Sequence, residues 1–100
     1  MVNETSGGTR VLGEVSILKI ISTTAYVLIN CEIGCETAVI DELRLLPQVI
    51  EADEIYGSSY EIITKVTAQT ESKLKEIIRN NIRRIGKVKA TQTMMVVMTL

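Results

Sequence analysis

At residues 60–86 the chain reads YEIITKVTAQTESKLKEIIRNNIRRIG, and this stretch decides the fold. Residues 60–68 alternate as in a β-strand, which places successive side chains on opposite faces of a sheet. One face would carry Ile62, Thr64, Val66 and Ala68, and the other Ile63, Lys65 and Thr67. After Thr70, a suitable N-cap, a helix is predicted, and Glu71 is favourably placed in its first turn. Gly86 is expected to cap its C-terminus. The apolar residues of this helix recur at helical spacing and are Leu74, Ile77, Ile78, Ile82 and Ile85.

The flanking sequence predicts four more elements. Residues 25–31 are rich in β-branched and aromatic residues, which favours a buried strand, and Gly34 permits a turn into a helix. Pro47 is expected to end this helix. Residues 49–56 alternate with acids and pair with residues 60–68 as a hairpin, and residues 88–98 form a last strand. The predicted buried face of the first helix comprises Val39, Ile40, Leu43 and Leu46.

The element order β-α-β-β-α-β predicts an α+β, ferredoxin-like sandwich, in which two helices cover one face of a four-stranded antiparallel sheet. Residues 24–100 form this domain. Residues 1–10 are polar and predict a flexible tail. Residues 11–22 fit either a helical stripe or a strand, of which we favour a strand or an arm, so residues 1–23 are expected to be an N-terminal tail or arm. The last strand is apolar in both registers, Val88, Met94, Val96 and Met98 in one and Met95 and Val97 in the other. The second sheet face therefore needs a cover, and we expect at least a homodimer with sheet-to-sheet or edge-to-edge pairing.

Composition excludes several classes of function. One hundred residues make about one domain. The chain has no His, so the commonest general base and the commonest metal ligand are missing. Its only aromatic residues are three Tyr, so base-stacking platforms for single-stranded nucleic acid are scarcely available. With no readable catalytic constellation, we expect neither an enzyme nor a cofactor. The longest apolar cluster is too short and polar for a membrane span or a signal peptide, which favours a cytoplasmic protein without membrane contact.

Charge is unevenly distributed along the chain. Between Glu32 and Glu61 there are eight acids and one base, and from Lys65 to Lys89 eight bases and two acids. Opposite patches could associate between copies, or the two regions could be solvated helix faces. The basic region lacks interleaved aromatics and a known reading motif, so direct nucleic-acid binding is not expected.

Two cysteines lie at the first strand-to-helix junction, Cys31 and Cys35. This position suggests a soft-metal-handling domain as an alternative function. Two thiols without a His or a third Cys do not complete a tetrahedral zinc site, however. A disulfide needs bonding geometry, and free thiols are expected in a reducing cytoplasm.

From residue 25 to residue 97 the chain resembles the effector-binding (RAM-type) domain of the Lrp/AsnC, or feast/famine, transcription regulators, in the stand-alone form that lacks a helix-turn-helix. The matching segments are AYVLI at 25–29 with Gly34, PQV at 47–49, IYG at 55–57 with YEII at 60–63, Leu74 with Ile77 and Ile78, IRRI at 82–85, and VKATQT at 88–93.

This resemblance implies a sheet-packed dimer that assembles further, commonly into a ring of dimers, and binds an amino acid where dimers meet. The domain would modulate transcription through partners such as full-length Lrp/AsnC regulators, without its own DNA-binding domain. A Gly allows close backbone approach, an acid can pair with an ammonium group, and hydroxyls can orient a polar ligand. By motif match, the ligand-binding residues are Gly57, Ser58, Ser59, Tyr60 and Glu61 in the turn, with Thr91 and Thr93 in the last strand.

The chain departs from the family pattern at this site. The family usually has Gly-x-Tyr-Asp, whereas this chain has one extra residue between Gly57 and Tyr60, and Glu61 in place of Asp. A longer loop and a longer acid move the carboxylate. The alternative interpretation is a purely structural assembly module, in which Gly57 only serves a hairpin turn, Tyr60 only packs, and the threonines only favour a strand.

Overall fold

The computed structural model describes residues 22–97, which form one sheet and two helices. In this part all strand pairs are antiparallel and the spatial order is β2-β3-β1-β4, so the ferredoxin-like fold is confirmed. The predictions for residues 1–21 and 98–100 lie outside the described residues. The elements are β1 (Thr23–Cys31), α1 (Glu36–Leu43), β2 (Val49–Glu54), β3 (Ile62–Ala68), α2 (Glu71–Ile77), a π-helical turn (Ile78–Ile82) and β4 (Val88–Met95).

The core lies between the two helices and one face of the sheet. The predicted alternation of residues 60–68 is confirmed, because Ile62, Thr64 and Val66 are buried and their neighbours are half-buried. The buried hydroxyl of Thr64 donates to the carbonyl oxygen of Glu51 at 2.7 Å, so it is not left unpaired in the core. The helices contribute Val39, Ile40, Leu43, Leu74, Ile77, Ile78, Ile82 and Ile85 to the core.

The start of α2 was predicted correctly and its end was not. Thr70 is the N-cap, and its hydroxyl accepts from the backbone N–H of Lys73 at 3.1 Å. Gly86, the predicted C-terminal cap, is not in the left-handed region, and Lys87 adopts that conformation instead, with φ 78°. Lys87 is the third residue of a turn closed by the N–H of Val88, which donates to the carbonyl oxygen of Ile85 at 3.2 Å, so its positive φ belongs to the turn that leads into β4 and not to a helix cap.

Two further predictions differ from the structure in detail. α1 ends at Leu43, before Pro47 is reached, and Leu46 is half-buried against the core from the following turn. Val88 pairs with Cys31 and packs against the core together with Met95, rather than sharing a face with Met94. The cause is an irregularity between Asn30 and Cys31, which shifts the β1–β4 register and reverses the side of the sheet that Val88 occupies.

The other face of the sheet carries apolar and charged side chains, and neither helix of residues 22–97 lies over them. Tyr26 pairs with Lys65, and Leu28 pairs with Ile63, on the side opposite the buried residues of β1. The ammonium of Lys65 lies 5.8 Å from the centre of the Tyr26 ring. Within residues 22–97, no helix has the length and apolar character of a membrane span.

Candidate functional site

The β2–β3 loop (residues 55–61) contains five of the predicted ligand-binding residues. The backbone N–H of Ile55 donates to the carbonyl oxygen of Glu61 at 2.8 Å, which closes the loop at its base. The N–H of Glu61 donates to the carbonyl oxygen of Ile29 at 3.1 Å, and the Asn30 amide donates to the carbonyl oxygen of Ser59 at 3.1 Å. These bonds hold the loop against the end of β1.

Glu61 has a definite partner within the chain. One oxygen of its carboxylate accepts from the backbone N–H of Cys31 at 2.9 Å. Because Cys31 lies at the β1 irregularity, this bond stabilises a backbone group at the point where the regular pairing of the strand changes. An Asp at position 61 would be one methylene shorter, so the longer acid of this chain is matched to this contact.

The tip of the loop is open to solvent in the single chain. Gly57 has φ 97°, a conformation that residues with a side chain rarely adopt, and its position has open space around it. Ser58 and Ser59 are exposed, and Tyr60 is half-buried. The Ser58 hydroxyl accepts from the backbone N–H of Tyr60 at 3.1 Å, which shapes the tip, and the Tyr56 side chain is fully exposed. The tip thus presents backbone groups and one aromatic ring to the outside.

Thr91 and Thr93 lie in the edge strand β4, opposite Ile29 and Val27 of β1, and therefore on the helix side of the sheet. There they line an open cavity of about 510 Å³ between β4 and the C-terminal half of the second helical segment. We call this cavity the β4 cleft. Its lining residues are Lys75, Ile78, Arg79, Arg83, Thr91, Thr93 and Met95.

The two parts of the predicted site flank the same residue of β1 without meeting. Ile29 accepts from the N–H of Glu61 on one side and pairs with Thr91 on the other, so β1 lies between the loop and the threonines. Three cationic residues of the β4 cleft were missed by sequence reasoning: Lys75, Arg79 and Arg83. Their spacing of four residues, which places them along one side of a helix, is the signal that could have found them.

The cysteine pair has the character of ordinary thiols. Cys31 is only 2% exposed, and both cysteines are free. Burial raises the pKa of the Cys31 thiol, and the carboxylates of Glu36 and Glu61 raise it further. A soft metal needs the thiolate, which a raised pKa disfavours. No cluster of three or more metal-ligating side chains occurs among residues 22–97.

Comparison with known proteins identifies the family. Residues 24–100 match the family model described as the Lrp/AsnC ligand binding domain. The crystal structure of FFRP-DM1 has 33% identity and a TM-score of 0.71, and the match covers 75% of this chain and 99% of that one. The hypothetical protein PHS023 from Pyrococcus horikoshii has 32% identity and a TM-score of 0.71, over 77% of this chain and 92% of that one. No curated protein sequence gives a significant match.

A longer regulator shares the fold. E. coli AsnC superposes with a TM-score of 0.76 at 22% identity, over 94% of this chain and 62% of that chain. The TM-score shows that the architecture is retained at this distance in sequence. Together with the family match, which spans more than half of the chain, these findings settle its classification. The chain belongs to the Lrp/AsnC family of transcription regulators, and residues 24–100 match the ligand-binding domain of that family.

Proposed function

We propose that this domain senses an amino acid and modulates transcription through partner regulators of its own family, which supply the DNA contacts. The observation that carries the proposal is the β2–β3 loop of a ligand-binding family, held on the end of β1 with its tip open to solvent. The regulator NMB0573 from Neisseria meningitidis has been solved as a complex with L-Met, and it shares this fold with a TM-score of 0.69 at 11% identity. Binding, rather than catalysis, is the role that this arrangement favours.

The chemistry of the loop suits an amino acid. Gly57 leaves the backbone open to close approach by a ligand, and Ser58 and Ser59 add exposed hydroxyls. Glu61 accepts one hydrogen bond from Cys31. A carboxylate has about four lone-pair positions, so this residue retains capacity for an ammonium group. Tyr60 would contribute its ring and hydroxyl, and Thr91 and Thr93 their hydroxyls, from a neighbouring position in the assembly.

Assembly completes the site in this proposal. Tyr26, Leu28 and Ile63 lie on the sheet face that neither helix of residues 22–97 covers, and a second copy packed on that face would remove them from water. The fully exposed Tyr56 at the loop would then lie where dimers meet in a larger assembly, such as a ring of dimers. A sheet-packed dimer and a higher oligomer are therefore part of the proposal, because the loop and the threonines do not meet within one chain.

A thermal-shift screen of the full chain against the twenty amino acids, followed by calorimetry on the best, tests the proposal. We expect one or a few amino acids to raise the melting temperature and to change the sedimentation of the assembly. Gly57→Ala should weaken binding, and Gly86→Ala is the matched control, since Gly86 has no positive φ and has open space for a methyl group. If no amino acid binds and the oligomer never changes, the domain is a purely structural assembly module.

The proposed reliance on partner regulators requires a separate experiment. The chain alone should not shift duplex DNA in a gel at low salt, where electrostatic binding is strongest. Mixed with a full-length regulator of the family, it should join that regulator's complex on DNA. A shift by the chain alone would contradict the proposal.

A further inference from the structure

Most cationic side chains between residues 22 and 97 have a partner. Lys75 lies 3.1 Å from the carboxylate of Glu71, the closest of these ion pairs, and Lys65 lies over Tyr26. The other pairs are Arg44 with Asp53, Lys73 with Glu76, and Lys87 with Glu32. Four cations of the described residues have neither an ion pair nor a ring contact, namely Arg79, Arg83, Arg84 and Lys89.

Three of these four cations converge on one groove. Arg79 and Arg83 line the β4 cleft. Arg83 and Lys89 also line an adjoining cavity of about 290 Å³, which shares Thr91 with the cleft. The fourth cation, Arg84, lines neither cavity. Unpaired positive charge in the described chain is thus concentrated along β4 instead of being spread over the surface.

The local backbone and the hydroxyls point to a ligand at the groove. The N–H of Arg83 donates to the carbonyl oxygen of Ile78 at 2.9 Å, which is the five-residue spacing of a π-helical turn. Such turns are rare and occur frequently at functional sites. A helix C-terminus stabilises cations, which accounts for part of the charge. It does not account for the hydroxyls of Thr91 and Thr93 facing the same cavity, which have no hydrogen-bond partner within residues 22–97.

We propose that the β4 cleft binds a small molecule that carries an oxyanion with two negative charges, either a phosphate group or a dicarboxylate. Guanidinium groups bind such oxyanions with forked pairs of N–H donors, and hydroxyls add further donors. Among residues 22–97 no acid lines the cleft, and Glu71, which pairs with the lining residue Lys75, is not itself part of the lining. A cavity of about 510 Å³ has room for a metabolite that bears the oxyanion.

This ligand differs in kind from the proposed amino acid. A zwitterion has no net charge and needs an acid for its ammonium group. The β2–β3 loop supplies one in Glu61, whereas the described lining of the β4 cleft contains none. The residues named for the cleft all belong to one chain, so the proposed oxyanion site needs no residue from a neighbouring dimer. The two proposals share Thr91 and Thr93 but otherwise rest on different residues.

The test is calorimetric titration of the full chain with inorganic phosphate and, separately, with succinate, at constant ionic strength. Saturable binding of at least one of them is expected, and the one that binds identifies the source of the oxyanion. Arg83→Gln and Arg79→Gln should each weaken binding about tenfold or more, since a hydrogen bond from a charged donor is lost. Thr93→Val, which keeps the shape of the side chain, should weaken it a few-fold.

Arg84→Gln is the matched control, because Arg84 is adjacent in sequence, equally unpaired among the described residues, and outside both cavities. It should leave binding unchanged. The proposal is overturned if neither anion binds saturably, if Arg84→Gln weakens binding as much as Arg83→Gln, or if duplex DNA binds through Arg83 while the small anions do not. An amino-acid screen that fails while phosphate or succinate binds removes only the proposed function, and the reverse result removes only the oxyanion site.

Discussion

The β2–β3 loop and the β4 cleft contrast in how their polar groups are satisfied. In the loop, the Glu61 carboxylate bonds to the Cys31 backbone, and further bonds tie the loop to β1. In the cleft, Arg79, Arg83 and the two threonine hydroxyls have no partner among residues 22–97. The loop is therefore built into the fold of a single chain, whereas the cleft has donors still available for an external group.

This contrast separates two kinds of residue that sequence reasoning placed in one site. A side chain that holds the backbone affects stability when it is removed, and a side chain with free donors affects binding. Substitutions in the loop should therefore appear in the free energy of unfolding. Substitutions in the cleft should leave that quantity nearly unchanged.

The largest expected effect is that of Glu61→Ala. It leaves the N–H of Cys31 without its acceptor, and we expect a loss of about 1–3 kcal/mol in the free energy of unfolding. Glu61→Gln retains an oxygen at the same distance along the side chain and should lose much less. Urea denaturation of both variants measures the difference. Equal losses for the two would show that charge, and not the hydrogen bond, is what the position provides.

Gly57→Ala should have the next largest effect, through the backbone. At φ 97° a side chain is strained whatever space surrounds it, so we expect a loss of about 1–2 kcal/mol. Gly86→Ala has no such strain and should gain about 0.4–1 kcal/mol, because alanine restricts the unfolded chain. Urea denaturation of the two variants compares them directly. Opposite signs are expected, and a loss at both positions would contradict the assigned conformations.

The same elements show how much was predictable from sequence. The β3 alternation, the α2 stripe and the Thr70 cap are local patterns, and each was confirmed. The Glu61 bond to Cys31 and the reversed side of Val88 both lie where the β1–β4 register shifts, with Lys89 as the extra residue in β4, and no local pattern marks this shift. Sequence reasoning likewise named the threonines but not the arginines opposite them, because only the tertiary structure brings the end of the second helical segment, residues 78–83, next to β4.

The thiol of Cys31 should make stability depend on pH in the alkaline range. Its pKa is raised in the folded state, mainly by burial, so the folded chain holds the proton more tightly than the unfolded chain does. Stability is therefore retained below the ordinary thiol pKa of about 8.5 and is lost as pH rises from there to the folded pKa, by up to about 1.4 kcal/mol per pH unit.

The Cys31→Ala variant serves as the reference for this effect, because every other titratable group is the same in both proteins. The difference in unfolding free energy between the two should shrink as the pH is raised from 8 to 10. In parallel, Cys35 should react with an alkylating reagent well before Cys31, since only Cys35 is partly exposed. Simultaneous alkylation in the native state would contradict the burial of Cys31.

The smallest effect should come from the cleft, and its sign is informative. Arg79 lies four residues from both Lys75 and Arg83, and each of these two pairs is a repulsion between like charges. Arg79→Gln removes both repulsions and should raise the free energy of unfolding at low salt by about 0.2–0.5 kcal/mol. Arg83→Gln removes only one such pair, near a helix end that favours cations, and should change little. At about 1 M salt both differences should vanish. Saturating oxyanion should reverse the order and make the wild type the more stable protein, since a ligand stabilises the state that binds it. A gain from Arg79→Gln that persists in 1 M salt would mean that packing, and not charge, governs this position.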